Sequence, residues 1–497
     1  MTYPAEGSSN LLEKPHLSRA SQLVVAALTG VSVVAALAGG WKLALALIAL
    51  VAALALIALI AYSISKGDCD RILVGWVLLY PLGYYLLSYP RDRPVIQFDR
   101  LLIAVLVGCM MVTPNSRVWL IPKDLKRSAI AWGIFLAATF ISFLRTDSIL
   151  TVGRLIVDGL LLPALLGWYI VRQFRLDRYT KPLHFAICII SIYSACIGVM
   201  EVASQTDLLA FPASGDYLAY EPTDPTGFVF LRANGPFVSN TTFAIAGLIS
   251  FFLLAFLWTL IRDNAGPVWR GLHIVGSSAA ILQALLPLFR SVLLTLIAVI
   301  IIDLFWTTGF RRVIRLVVLA TIPVIVIALA ALAPGVFQDR SSSSNVYGRL
   351  AQDKQTLKIF IDHPVIGVGL FNFLPVAERS ARYQADSFGN DPPVNFPHNN
   401  LGWLAVETGL VGIIPYLLSQ ALLLAAFWHL AKRSERGAKA ARYFLFIFLS
   451  YWITGFTETA GSYGELNMWF VFAVAVLYRY GYGESPLFPA TALSRVV

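Results

Sequence analysis

Long apolar runs alternate with short polar breaks along almost the whole chain. A run of about 20 apolar residues is long enough for a helix to cross a bilayer. The pattern predicts fourteen such helices, at about 21–38, 42–62, 72–89, 98–113, 128–144, 150–171, 183–201, 237–261, 268–287, 290–308, 313–333, 399–430, 441–457 and 465–481. Gly39-Gly40 joins the first two into a tight hairpin. Two polar stretches interrupt the series, 202–236 and 333–397. The first holds too many large apolar residues for a linker and reads as an ordered surface loop. In the second, Leu350, Leu357 and Ile361 share a face, which predicts an amphipathic helix over Tyr347–Asp362, ended by Pro364. The GVGLFNFLPVA stretch that follows predicts a second short helix against the membrane.

The fold class is therefore all-α: a polytopic helical membrane protein with twelve to fourteen spans. Residues 1–333 carry helices one to eleven with an external loop at 202–236. Residues 334–397 form a large external loop, and 398–497 carry the last three helices. Composition agrees. The chain is 58% hydrophobic and 13% charged, where soluble domains carry about 25% charged residues. Strands of a porin-like barrel would be shorter and would alternate in hydropathy. The first apolar run shows no signal-peptide cleavage pattern, so it is expected to be a retained helix.

The net charge of +10 does not point to nucleic acid. With the N-terminus inside, most of the 38 Lys and Arg residues fall in short cytoplasmic segments, as the positive-inside rule requires. Both termini are then cytoplasmic and the two polar stretches external. The larger one carries its own cations: Arg340, Arg349, Lys354, Lys358, Arg379 and Arg382. Cys109, Cys188 and Cys196 lie in apolar runs and Cys69 in a short loop; without metal-ligand spacing, they read as packing residues.

External arginines are the first candidates for chemistry, because guanidinium groups match phosphate oxygens in pairs. Arg290 stands between two apolar helices; snorkelling at a helix end is the plainer account. Arg154 and Asp158 are spaced i, i+4 and suit an ion pair on one helical face. Arg232 precedes a helix start, where Ser239, Asn240 and Thr241 offer capping groups. Arg349 opens the amphipathic helix, and a solvated surface charge is its plainer account. His398 precedes Asn399 at another helix start. Its imidazole suits a general base near neutral pH, though a polar interface residue would look the same. His363, before Pro364, reads as structural; Glu407 and Glu458 are secondary candidates. No HExxH, clustered Cys/His or Walker A motif is present, so no metal or other cofactor is expected.

Taken together, Gly348-Arg349, the HPVIGVG run at 363–369, His398-Asn399 and the ETGLVG run at 407–412 resemble the signature of the O-antigen ligase and polysaccharide polymerase superfamily. Upstream, NGPFVSNTTFAIAGL and LFRSVLLTL resemble two further segments of that family, with Phe289 where the family has a Ser. The resemblance covers about Arg232–Gly412. It implies metal-independent glycosyl transfer at the outer face of a bacterial cytoplasmic (inner) membrane. The implied donor is a glycan on polyprenyl (undecaprenyl) pyrophosphate, and the acceptor a glycan or glycolipid. The family's pyrophosphate-binding arginines map to Arg290 and Arg349, and its proposed base to His398. Arg232 and Arg154 are added from position, with Asn399, Glu407, His363 and Asp158 in support. Contacts with other polysaccharide assembly proteins are compatible with this reading. Fourteen spans and a second external loop lean toward a polymerase of exopolysaccharide or O antigen; a ligase acting on lipid A core is the alternative. A transporter or flippase of lipid-linked glycan is the rival from another class. It is expected to show broken helices and midplane charges, whereas here the charges gather at one face.

Overall fold

The structure is a computed structural model that describes residues 68–89, 96–112, 121–146, 149–209, 233–306, 343–384 and 397–483, with isolated positions between 309 and 319. The chain divides into two units, Met1–Asp68 and Cys69–Val497. All helices below belong to the second. The two spans expected before residue 63, most of the one at 313–333, and Arg232 lie outside the described residues.

The described chain is almost entirely helical. In order come α1 (Asp70–Leu79), α2 (Phe98–Val112), α3 (Lys123–Phe143), α4 (Ile149–Arg172), α5 (Leu176–Ser204), α6 (Asn240–Ile261), α7 (Pro267–Leu285) and α8 (Arg290–Trp306). Then follow α9 (Ser343–Asp362), α10 (Phe373–Arg379), α11 (Asn400–Arg433), α12 (Glu435–Gly455) and α13 (Gly464–Tyr482). A two-residue ribbon, Ser88–Tyr89 against Ile96–Gln97, is the one sheet among the described residues. Among the described residues five helices are long and apolar enough to cross a membrane: α3, α4, α5, α6 with the turn after it, and α11.

Local chemistry sets the helix ends. Ser239 is extended and its Oγ accepts from the Thr242 N–H at 3.1 Å, capping α6. Ser434 does the same for α12 through Gly437. Such caps contribute about 1 kcal/mol each.

Burial follows hydropathy. α6 is apolar all round and is the most enclosed span, 72% buried; a helix with no polar face belongs inside a bundle. α3 is 28% buried and turns Ile130, Ile134 and Ile141 outward, a stripe suited to lipid tails. Its other side packs Phe135 with Trp403, Leu404, Ile413 and Tyr416 of α11, the most extensive helix pair in the molecule.

Several expectations change. The amphipathic helix starts at Ser343, not Tyr347. The GVGLFN part of the second short helix is not helical; α10 begins only at Phe373. The span at 150–171 contains a π-helical stretch, Leu155–Leu161. Cys69 and Cys109 are not separate packing residues but a disulfide, with Cα atoms 6.7 Å apart, within bridging distance.

Candidate active site

The signature region is built first from backbone. α11 is broken at Gly409, where φ is 65° and ψ is −168°. A break inside an apolar helix frees N–H and C=O groups, each costing several kcal/mol if left dry. The loop Pro364–Gly369 supplies their partners. Val368 N–H donates to Val406 O (2.9 Å) and Gly369 N–H to Glu407 O (3.1 Å). In return Leu410 N–H donates to Pro364 O (2.8 Å) and Val411 N–H to Val365 O (3.1 Å). Glycine is required on both sides. Gly367 also has φ of 65°. A Cβ on Gly409 would lie 2.3 Å from Val365 O, and one on Gly367 2.5 Å from Val406 O. The end of α3 locks the loop: Ser142 Oγ donates to Glu407 O, Arg145 Nη1 to Gly367 O and Thr146 Oγ1 to Leu370 O.

Glu407 belongs to this seal. It is 0% exposed and faces the backbone N–H groups of Phe371 and Phe373 and the Trp403 ring. It lies nine residues into the stretch that starts at His398, about 13 Å along a helix axis. His363 is exposed and its backbone N–H ends α9 on the carbonyls of Ile359 and Phe360.

The side-chain cluster forms at the other end of the same stretch. Asn399 caps α11, its Oδ1 accepting from Leu401 and Gly402 N–H at 3.0 and 3.3 Å. This fixes His398 just outside the helix. Asn400 Oδ1 accepts from Gly461 N–H at 3.0 Å, and Asn467 Nδ2 donates to Gly461 O at 2.8 Å. The first holds the turn between α12 and α13 against the start of α11, and the second ties that turn to α13. That turn carries Glu458. Its Oε2 lies 3.3 Å from His398 Nδ1, and its Oε1 3.4 Å from Arg349 Nη2. Arg349 Nη1 also donates to Thr457 O at 2.9 Å. Glu458 is 12% exposed, while His398 is 44% and Arg349 47%. The carboxylate is thus the buried anchor between two half-open groups. Asp353, one turn after Arg349, has its carboxyl pushed above the ordinary range by burial, while Arg349 and His398 pull it back. A carboxylate on Nδ1 favours the tautomer with its proton there, which leaves the Nε2 lone pair for a substrate.

Arg290 belongs to α8, and Arg154 and Asp158 to α4. Gln283 Nε2 donates to Phe243 O at 2.9 Å, which brings the end of α7 level with the start of α6. Arg290, exposed at the start of α8, emerges there after Leu288, a non-glycine at φ 56°. The segment before α6 is held by two carboxylates. Glu201 accepts from Asn234 and Gly235 N–H, and Glu465 from Val238 N–H. Arg154 precedes the π-helical turn. Asp158, inside that turn, takes its forked ion pair from Arg100 of α2, with both contacts at 2.7 Å. Gly159 O in the same turn accepts from Asn467 Nδ2 at 3.0 Å, which links α4 to the turn that carries Glu458.

Sequence reasoning ranked Glu458 too low and missed Arg100 and Arg145. No motif marks them; Glu458 is 60 residues from His398. Asp68-Cys69-Asp70 spells an Asp-x-Asp triplet that the motif reading passed over. Asp70 there accepts from Tyr169 Oη and from Arg175 Nε. Among the described residues no group of three or more His, Cys, Asp or Glu is placed to hold a metal ion.

No curated protein matches the chain. Residues 227–417 match the family model described as O-antigen ligase, Wzy_C. That stretch runs from just before the clamped segment at Asn234, through Arg290, Arg349, the sealed loop and His398, to beyond the break at Gly409, and over those residues the match supports a likeness to the O-antigen ligase-like superfamily.

Proposed function

We propose that this protein transfers a glycan from a polyprenyl pyrophosphate donor to a sugar hydroxyl at the outer face of the cytoplasmic membrane. The contact of His398 with Glu458, beside Arg349, is the observation that carries the reading. In the proposed step His398 Nε2 takes the proton of the acceptor hydroxyl. The hydroxyl oxygen forms the bond to the anomeric carbon, and the bond from that carbon to the phosphate oxygen breaks. The leaving pyrophosphate keeps the electron pair and is met by guanidinium charge, with Arg290 and Arg349 as first candidates and Arg232 and Arg154 as further ones. Glu458 is a positioning residue: it orients the imidazole and steadies the imidazolium that forms. Because arginines supply the cations, EDTA is expected to leave the purified activity intact; an activity that needs added divalent ion overturns this part.

A polymerase joining lipid-linked repeats is the favoured role, and ligation onto lipid A core the alternative. The glycan profile of a deletion strain carrying His398→Ala separates them. Accumulated single lipid-linked repeats mean a polymerase, and long lipid-linked polymer that never reaches lipid A means a ligase. A normal profile overturns the role of His398. The transporter reading gains a broken helix at Gly409, contrary to the expectation from sequence. That break is filled by the backbone of Pro364–Gly369, so its carbonyls are not open to an ion or substrate, and the reading stays second.

A further inference from the structure

The opposite end of the bundle holds a second recess. α11 spans 34 residues from Asn400 to Arg433, on the order of 50 Å of helix, and α12 starts two residues on. Here the first turns of α5 and α12 meet the last turns of α6 and α13 around a space of about 600 Å³. Its walls carry Arg178, Lys181, Arg436, Lys439 and Arg479 against one acid, Asp177.

A positive surface at a cytoplasmic end is expected of any membrane protein, so the cations need a closer look. They come from three separate helices and converge on a concave space. Most other acids at this end are already engaged: Asp70 with Arg175, Asp124 with Arg433, Asp303 with Arg442 and Asp263 with Arg262; Glu435, exposed at the start of α12, is the acid nearest the recess beside Asp177. Two of the five cations serve the wall itself. Arg479 donates to Phe174 O at 3.0 Å and Val171 O at 3.4 Å, and Arg178 lies over the Tyr179 ring. Lys181, Arg436 and Lys439 face the recess, with Arg436 over the ring of Tyr480. Lys439 is half-buried, an expensive place for an ammonium without an anion. The N-terminal ends of α5 and α12 add positive helix dipoles. Thr180, Thr259 and Asn264 offer neutral polar groups, and Leu260 and Ile261 an apolar floor.

We propose that this recess binds a phosphate group, held by Lys181, Arg436 and Lys439. A phospholipid headgroup of the adjoining leaflet and a soluble phosphate share that chemistry. The test uses the full chain purified in neutral detergent and native mass spectrometry. Phosphatidylglycerol is expected to be retained as one molecule per chain, and Lys181→Gln/Arg436→Gln/Lys439→Gln to lower its retention about tenfold or more. Lys126→Gln/Arg270→Gln/Lys432→Gln removes equal charge outside the recess and is expected to change nothing. In a second arm, inorganic phosphate that raises the thermal midpoint of the wild type and not of the triple variant, without lipid retention, assigns the site to a soluble phosphate. Should the triple variant be unstable, single Arg436→Gln and Lys439→Gln variants give the same reading. Equal retention by wild type and variants overturns the site. So does equal loss in the control variant, which means diffuse surface charge, and so does a wild type that responds to neither probe.

Discussion

At the start of α11, His398, Glu458 and Arg349 meet through side-chain tips at 3.3–3.4 Å, two of them about half exposed. Further along the same helix, at Gly409, backbone meets backbone at 2.8–3.1 Å around a fully buried Glu407. Both regions belong to one signature. The first is half-open to solvent; the second is closed. The difference shows that a motif read as one functional string contains two kinds of residue. His398 and Arg349 present half-open side chains, the groups that the proposed reaction uses. The glycines of HPVIGVG and ETGLVG permit a helix break that holds the external loop onto the bundle, and so set where Arg349 can reach.

That contrast is broken most severely at the glycines. Gly409→Ala and Gly367→Ala put a Cβ into backbone at 2.3 and 2.5 Å, at a φ of 65°. Left-handed backbone costs a non-glycine about 1–2 kcal/mol before the clash is added. Both variants are expected to unfold in detergent at clearly lower temperature and to lose transfer with it; a wild-type midpoint means the loop does not seal the break.

His398→Ala is the opposite case. Transfer is expected to fall about 10²- to 10⁴-fold, the range of a lost general base, with an unchanged melting midpoint. A midpoint that falls with activity makes His398 structural.

Glu458→Gln sharpens the comparison within the cluster. It keeps the shape and loses the charge that faces both His398 and Arg349. A loss of about tenfold in kcat with little change in KM is expected, since an orienting group acts mainly in the transition state. A rise in KM alone makes Glu458 a binding residue.

The smallest effect is expected at Asp353. Burial holds its folded carboxyl above the ordinary value, so the folded state keeps this proton more tightly than the unfolded chain. Its contribution is therefore most favourable below the ordinary carboxylate range and fades as pH rises through the raised value. Asp353→Asn removes that dependence. The variant's midpoint, followed from about pH 4 to 7, is expected to gain on the wild type as pH rises; a constant difference refutes the assignment.

Much of the fold was legible because apolar length is a local property. The spans at 98–113, 237–261 and 465–481 coincide with α2, α6 and α13 to within a few residues, and Ser239 caps as its position suggests. His398 and Arg349 were legible because the residues around them are distinctive. Glu458 was harder: it is a lone acid in an unremarkable turn, and long-range bonds such as that of Gly461 N–H to Asn400 bring that turn to the start of α11 beside His398. Arg100 was harder still: it meets Asp158 at 2.7 Å from 58 residues away, and no spacing rule connects the two.

The sequence by itself determined a helical chain with membrane-length apolar runs, a stretch at 227–417 similar to the O-antigen ligase family, and cations and a histidine in and around one polar loop. Bilayer thickness, backbone hydrogen bonding and side-chain pKa act residue by residue, so these facts survive without coordinates. Tertiary structure alone decided which acid faces His398, which glycines close the broken helix, and that the lysines and arginines at the far end of the bundle share a recess. Those facts depend on which helix ends come together, and packing across hundreds of residues sets that, not any local pattern.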